Sequence, residues 1–194
     1  ASDDKTFTTT SGGVEDIIID DDDAGYASVG NWYYGTCSPS EAYNGDYYYA
    51  IDDVVESASA TWTPYIVFAG DYEVSVMYRA GSNRCDNTPY TVYYNGGSQT
   101  FYVNQKVNGG VWNVLGAFNF AEGEVGYVKV GNQASGGDVV IADAVKWHSV
   151  GEPTPTPTPS PTPEEPTPTP TPSPTPSPTP EETPTPTPTP EPGK

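Results

Sequence analysis

The sequence is poor in several residue types, and each scarcity excludes a class of function. It holds one histidine and neither a G-x-S-x-G nor an H-E-x-x-H pattern, so we expect neither a hydrolytic triad nor a zinc protease site. Only 7 basic residues stand against 26 acidic ones, a net charge of −19, which disfavours nucleic acid and anionic membranes as partners. No run of about twenty apolar residues exists, so no membrane insertion is expected. We therefore expect a protein that is not an enzyme.

Cysteine is also scarce, since the sequence has only Cys37 and Cys85, both in loop-like surroundings. The sequence starts at Ala1 without methionine or an apolar leader, which is typical of a mature secreted protein located outside the cell or at its surface. An even cysteine count in a secreted chain predicts one disulfide between Cys37 and Cys85, with two unpaired thiols as the alternative.

Residues 151–194 are dominated by alternating proline and Thr or Ser, and apolar core residues are missing. Proline fixes φ and removes the amide donor, so this segment is expected to be a disordered or polyproline II stalk. The composition is typical of O-glycosylated stalks, with an unmodified spacer as the alternative. The first candidate acceptors for sugar are Thr154, Thr156, Thr158, Ser160, Thr162, Thr167, Thr169 and Thr171.

Residues 1–13 form a polar N-terminal arm whose one β-prone piece is residues 6–10. A short β-prone segment outside a core can pair with the open edge of a neighbouring sheet, and repetition of that contact builds a filament. The alternative is a frayed terminus.

Residues 14–150 have the size of one domain and show short β-rich runs about every ten residues, separated by turns rich in Gly, Asn and Asp. No apolar pattern with a helical period is present, so the fold class is all-β, an antiparallel sandwich. An Asn95-Gly96 pair predicts a type I′ hairpin, and residues 72–79 alternate between an inner and an outer face. The predicted strands cover residues 15–20, 47–51, 57–63, 71–79, 90–94, 99–103, 113–120, 127–130 and 139–146.

Several segments, in this order, resemble the golvesin C-terminal-like domain, a module attached to secreted bacterial proteins such as polysaccharide lyases and cell-wall amidases. The resemblance covers about residues 17–150 and implies a jelly-roll-like sandwich with an accessory, non-catalytic role in adhesion to polysaccharide or envelope. Cys37, Cys85 and the Thr-rich arm depart from the pattern. The segments that carry it include Asp23-Ala24-Gly25-Tyr26, Gly30-Asn31-Trp32, Ala60-Thr61-Trp62-Thr63-Pro64, Gly70-Asp71-Tyr72-Glu73-Val74, Gly81-Ser82-Asn83-Arg84, Val103-Asn104-Gln105 and Ile141-Ala142-Asp143-Ala144-Val145.

Tyrosine is abundant, with 15 residues against 5 phenylalanines, and strand alternation puts about half of them at solvent. Exposed rings beside amide and guanidinium groups can hold sugars by stacking and hydrogen bonds. The alternative is that the tyrosines fill the sandwich and the polar residues satisfy loop backbone. The candidate sugar-binding residues are Tyr33, Tyr34, Asn83, Arg84, Asn104 and Gln105.

An acidic run at residues 20–23 offers hard oxygen ligands that suit Ca²⁺. The predicted ligands of a possible structural calcium are Asp20, Asp21, Asp23 and Asp143, and the alternative is a solvated acidic run. No other cofactor is indicated.

Two functions are compatible with these features. The first is a secreted module that binds polysaccharide or cell-envelope glycan, displayed on a glycosylated stalk. The second is a structural subunit of an extracellular fibre or surface layer, which self-associates through the N-terminal arm.

Overall fold

The structure, a computed structural model, describes residues 16–151, and this part of the chain consists of strands and turns alone. It therefore contains no helix with the length and apolarity needed to cross a membrane. Within these residues the strands are β1 (Ile17–Ile19), β2 (Tyr26–Val29), β3 (Tyr33–Thr36), β4 (Asp46–Ile51), β5 (Ser59–Trp62), β6 (Gly70–Val76), β7 (Thr88–Tyr94), β8 (Gly97–Val103), β9 (Asn113–Phe120), β10 (Tyr127–Gly131), β11 (Val139–Ala142) and β12 (Val145–Ser149).

The strands form three antiparallel sheets. One has the order β1-β12-β6-β9, the second β2-β5-β10-β7-β8, and the third, smaller one β11-β4-β3. The large sheets and the small one all contribute side chains to a single apolar core. The predicted all-β sandwich is confirmed.

The centre of the core is built from aromatic and β-branched side chains. Trp62 of β5 and Trp147 of β12 are both fully buried, and the rings of Trp62 and Tyr90 stack with centroids 6.5 Å apart. The predicted inner face of β6 is confirmed, because Tyr72, Val74 and Val76 are all buried. Burial of such apolar area is the main source of stability in a domain of this size.

The outer face of β6 is less exposed to solvent than its polar residues predict. Ser75 of β6 and Met77, the residue directly after β6, are both buried, although the alternation places them toward solvent. The reason is that β6 lies between two neighbours, and Lys146 of β12 and Val114 of β9 flank Ser75 in the register.

The hairpin at Asn95-Gly96 is confirmed, since Tyr94 of β7 pairs with Gly97 of β8 across a two-residue turn. Its predicted turn type is wrong. Gly96 has a φ of 101°, whereas Asn95 does not have the positive φ that a type I′ turn requires at both central residues.

Residues 139–146, predicted as one strand, form all of β11, a corner and the start of β12, and the two strands lie in different sheets. The corner is Asp143-Ala144, where the Asp143 carbonyl accepts a hydrogen bond of 3.0 Å from the Trp62 indole N–H. Strands β2 and β3 were not predicted, because both are short and largely exposed. The predictions for the N-terminal arm and the Pro-Thr-rich segment lie outside the described residues.

Candidate functional site

Tyr33 and Tyr34 lie on β3, an edge strand of the small sheet, and their side chains are 48% and 58% exposed. Tyr33 packs against Tyr49 with ring centroids 5.4 Å apart, and Tyr34 packs against Tyr48 at 5.6 Å. Successive strand residues point to opposite faces of a sheet. The two tyrosines predicted as one sugar platform therefore belong to different surfaces.

The Tyr33 surface adjoins a cleft of about 180 Å³. Tyr33 of β3 and Ile51 of β4 form its apolar wall, and the loops before β3, after β4 and after β10 supply the rest. We call this feature the Tyr33 cleft. It is lined by Asn31, Tyr33, Ile51, Asp52, Asp53, Ser57, Ala58 and Asn132.

Asn132 fixes the shape of the Tyr33 cleft. Its Oδ1 accepts hydrogen bonds from the amides of Ser57 and Ala58, both at 2.9 Å, and its Nδ2 donates to the Ile51 carbonyl at 2.9 Å. A side-chain amide with these partners ties two loops together. Asn132 therefore supports the cleft rather than offering free groups to a ligand.

Asp53 is held in a similar way. Its carboxylate accepts hydrogen bonds from the Val54 amide at 2.8 Å and from the Ser57 hydroxyl at 3.0 Å. The Ser57 hydroxyl and the backbone amides keep the pKa of Asp53 below its usual value, so this carboxylate is ionised at neutral pH. Asp52 and Asn31 are left as the polar side chains of the cleft best able to meet a ligand.

The Tyr34 surface has a different chemistry. The Tyr34 hydroxyl donates a hydrogen bond of 3.0 Å to the Asp46 carboxylate. Behind it, the rings of Tyr48 and Tyr26 stack at 6.2 Å, and Tyr26 contacts the buried Trp62 ring at 5.6 Å. This row of rings leads into the core.

Two of the predicted sugar-binding residues are interior, so their assignment is corrected. Arg84 is 6% exposed, donates to Asn83 Oδ1 at 2.7 Å and to the Arg79 carbonyl at 3.3 Å, and lies 5.6 Å from the Tyr47 ring. These contacts hold the loop before β7, so Arg84 is not available to a ligand.

Gln105 is fully buried. Its Oε1 accepts from the Ile141 amide at 2.8 Å, and its Nε2 donates to the Ile141 carbonyl at 2.8 Å and to the Tyr90 hydroxyl at 3.0 Å. The Gln105 side-chain amide thus makes the hydrogen bonds to β11 that a neighbouring strand would otherwise make. Gln105 is a structural residue.

Asn83 and Asn104 are exposed, but neither lines the Tyr33 cleft. Asn83 Oδ1 accepts from Arg84, and Asn104 Oδ1 accepts from the Lys106 amide at 2.9 Å. The loops that carry Asn83 and Asn104 do come together, because the Gln105 backbone amide donates to the Cys85 carbonyl at 3.0 Å. Their polar groups satisfy the protein itself, which was the structural alternative for them.

The predicted disulfide is not formed in the structure, where Cys37 and Cys85 are both free thiols. Cys85 is fully buried in the core beside the Arg84–Val139 bridge, and burial raises the pKa of its thiol to about 11. Cys37 is only partly buried, and its backbone amide donates to the Gly45 carbonyl. The two cysteines thus have separate surroundings.

Three of the four predicted calcium ligands, Asp20, Asp21 and Asp143, are buried. Asn44 Nδ2 donates to Asp20 at 2.7 Å, and the Tyr43 amide donates to Asp143 at 3.2 Å, whereas neither carboxylate oxygen of Asp21 has a hydrogen-bond partner. Burial raises the pKa of Asp20 to about 6 and those of Asp21 and Asp143 to about 8.

The fourth predicted ligand, Asp23, accepts a hydrogen bond of 3.0 Å from the Asp20 amide and so closes a turn. Within residues 16–151, no three His, Cys, Asp or Glu side chains are grouped so that they could hold a metal ion. The predicted calcium site on Asp20, Asp21, Asp23 and Asp143 is therefore not preformed.

His148 pairs with Asp16, with Nδ1 2.6 Å from Oδ1. This pair lies at the end of β12 with the histidine side chain 52% exposed. Among the described residues, no hydroxyl or thiol hydrogen-bonds to His148.

Sequence reasoning missed the cleft residues Asn31 and Asp52, because loop partners far apart in sequence carry no periodic signal. It also missed a stacked pair, Tyr93 and Tyr127, whose rings lie 4.3 Å apart on neighbouring strands β7 and β10. The register between β7 and β10 places these two tyrosines opposite each other, so knowledge of that register would have revealed the pair.

The fold and the cleft define a β-sandwich module with an exposed aromatic residue at a polar depression. Residues 17–149 match the model of the Golvesin C-terminal domain, and the chain belongs to this family.

Two relatives are xanthan lyases. The chain is 34% identical to xanthan lyase from Bacillus sp. (strain GL1) over 130 residues, which cover 66% of this chain and 14% of that protein. Its fold matches the structure of Paenibacillus xanthan lyase with a TM-score of 0.65 and 37% identity, over 70% of this chain and 13% of that one. The chain thus spans about one seventh of the length of these enzymes.

Proposed function

We propose that this protein is a secreted, non-catalytic module that binds polysaccharide, with the Tyr33 cleft as its binding site. The observation that carries the proposal is the exposed Tyr33 ring beside a depression with free polar side chains. A tyrosine face can stack on a sugar ring, and neighbouring polar groups can then fix the ring through its hydroxyls.

The family relationship supports this role. Both relatives carry the name of a polysaccharide-degrading enzyme, and the matched segment is a small part of each. Polysaccharides of that kind are too large to pass a membrane, so a module that binds them acts outside the cell. We propose that residues 151–194 serve as the O-glycosylated stalk that displays it.

The test compares two tyrosines of similar exposure on opposite faces of one strand. The full chain, Tyr33→Ala and Tyr34→Ala are run in affinity electrophoresis through a panel of soluble polysaccharides, including xanthan and neutral glucans, galactans and mannans. Loss of one stacking ring removes about 1 kcal/mol or more, so Tyr33→Ala is expected to weaken binding at least about fivefold. Tyr34→Ala is expected to bind as the parent does.

Thermal unfolding of both variants checks that neither loses the fold. Equal binding by the parent and Tyr33→Ala would contradict the site, and a parent that binds no polysaccharide of the panel would contradict the function.

A structural role in an extracellular fibre is the second candidate. The observation that favours it is the open edge of the five-stranded sheet, where β8 has exposed residues from Gly97 to Thr100 and no neighbour on its outer side among the described residues. Unpaired edge amides and carbonyls can accept a strand from another chain, such as residues 6–10 of a second copy.

A further inference from the structure

The charged residues that line the Tyr33 cleft are all of one sign. Asp52 and Asp53 line it, and none of its lining residues is basic. Asp53 is ionised because its carboxylate accepts the hydrogen bonds described above. A ligand in this cleft therefore meets negative charge.

The basic side chains of the described residues offer no free counter-charge. Residues 16–151 contain Arg79, Arg84, Lys106, Lys129 and Lys146. Lys106 pairs with Asp86 at 3.0 Å, Lys146 with Asp16 at 3.6 Å and Arg79 with Glu41 at 3.7 Å.

The two remaining basic side chains are also engaged. Lys129 forms an ion pair with Glu56, which lies in the loop that borders the cleft, and Arg84 is buried against Tyr47. Recognition of a carboxylate-bearing sugar uses a bidentate Arg or a free Lys as its partner. Among residues 16–151, every Arg and Lys side chain is already paired or buried.

We infer that the ligand of the Tyr33 cleft is a neutral polysaccharide, whose sugar ring stacks on Tyr33 while its hydroxyls donate hydrogen bonds to Asp52. This inference rests on the proposed function and narrows it. Hydrogen bonds from hydroxyls to a carboxylate are charge-assisted and do not require a charged ligand.

The test measures binding of the full chain to neutral glucans, galactans and mannans and to two acidic polymers, xanthan and polygalacturonate, at about 20 mM and about 300 mM NaCl. We expect at least one neutral polymer to bind about tenfold more tightly than either acidic polymer at low salt. Its affinity should change less than about twofold with salt, because screening acts on pairs of charges.

The variant Asp52→Asn should change the affinity in opposite directions for neutral and acidic polymers. The exposed Glu122→Gln removes the same charge and serves as the control. With a neutral ligand, Asp52→Asn should weaken binding several-fold and Glu122→Gln should leave it unchanged. Stronger binding of an acidic polymer by Asp52→Asn would show that like-charge repulsion had limited that ligand at the cleft.

The failures are distinguishable. Tight binding of xanthan or polygalacturonate that Tyr33→Ala abolishes would overturn this inference and leave the proposed function standing. Binding only to a cationic polymer such as chitosan, lost at about 300 mM NaCl, would overturn it as well. A chain that binds none of these polymers would overturn the proposed function together with the inference.

Discussion

Asp21 has an environment far from that of a free side chain. It is 3% exposed, and neither of its carboxylate oxygens has a hydrogen-bond partner. Burial, with repulsion from Asp20 and Asp46, raises the pKa of Asp21 from 3.8 to about 8. At neutral pH the folded protein therefore holds a proton on Asp21 that the unfolded chain releases.

This proton predicts a pH dependence of stability. Between about pH 4 and pH 8 the folded state binds more protons than the unfolded state, so the free energy of unfolding falls as pH rises. The contribution of Asp21 is complete below about pH 4 and is lost as pH rises toward its folded pKa of about 8. Asp143 acts in the same direction, since burial raises its pKa to about 8 as well.

We predict that Asp21→Asn raises the free energy of unfolding at pH 8 by about 1 kcal/mol or more and flattens its dependence on pH. The exposed Glu122→Gln, at a residue that does not act on the pKa of Asp21, is the control and should change neither. Urea unfolding at several pH values measures both effects. A wild-type protein that is more stable at pH 8 than at pH 5 would contradict the assignment, as would a large stabilisation by added Ca²⁺.

At the scale of elements, most strands follow from alternation and turn residues, because these depend on neighbours in sequence. Tyr72, Val74 and Val76 show this well, since each of them is buried as the pattern indicates. The split at Asp143-Ala144 could not be predicted, because Asp143 sits in a run of apolar residues that looks continuous.

The site was less predictable than the fold. Tyr33 was correctly expected at the surface, but Gln105 was expected there too and is fully buried. Only the paired partners of its amide, Ile141 and Tyr90, reveal its role, and they lie 36 and 15 residues away in sequence. Long-range polar contacts of this kind leave no local pattern.

The open edge at β8 carries the prediction at this scale. If the protein is a binding module, we expect the full chain and a variant lacking residues 1–13 both to sediment as monomers at high protein concentration and moderate salt. Assembly of the full chain that disappears with the deletion would instead favour the fibre role. Analytical ultracentrifugation with negative-stain microscopy distinguishes these outcomes.

At the scale of the whole molecule, the proposed ligand site lies at one end of the smallest sheet of the sandwich. Asn132 fixes the loops of that site through the Ile51 carbonyl and the Ser57 and Ala58 amides. A site that is rigid before binding loses little entropy when a sugar enters. The chain's net charge of −19 adds a long-range repulsion toward acidic polymers that salt weakens.

The most direct measurement of the central claim is an NMR titration of the ¹⁵N-labelled full chain with an oligosaccharide from the neutral polymer that binds best. If the Tyr33 cleft binds the sugar, amide shifts concentrate at Asn31, Tyr33, residues 51–58 and Asn132, with little change at Tyr34 or around Asn104. Shifts confined to another surface, such as the Tyr93–Tyr127 pair, would contradict the Tyr33 cleft as the binding site.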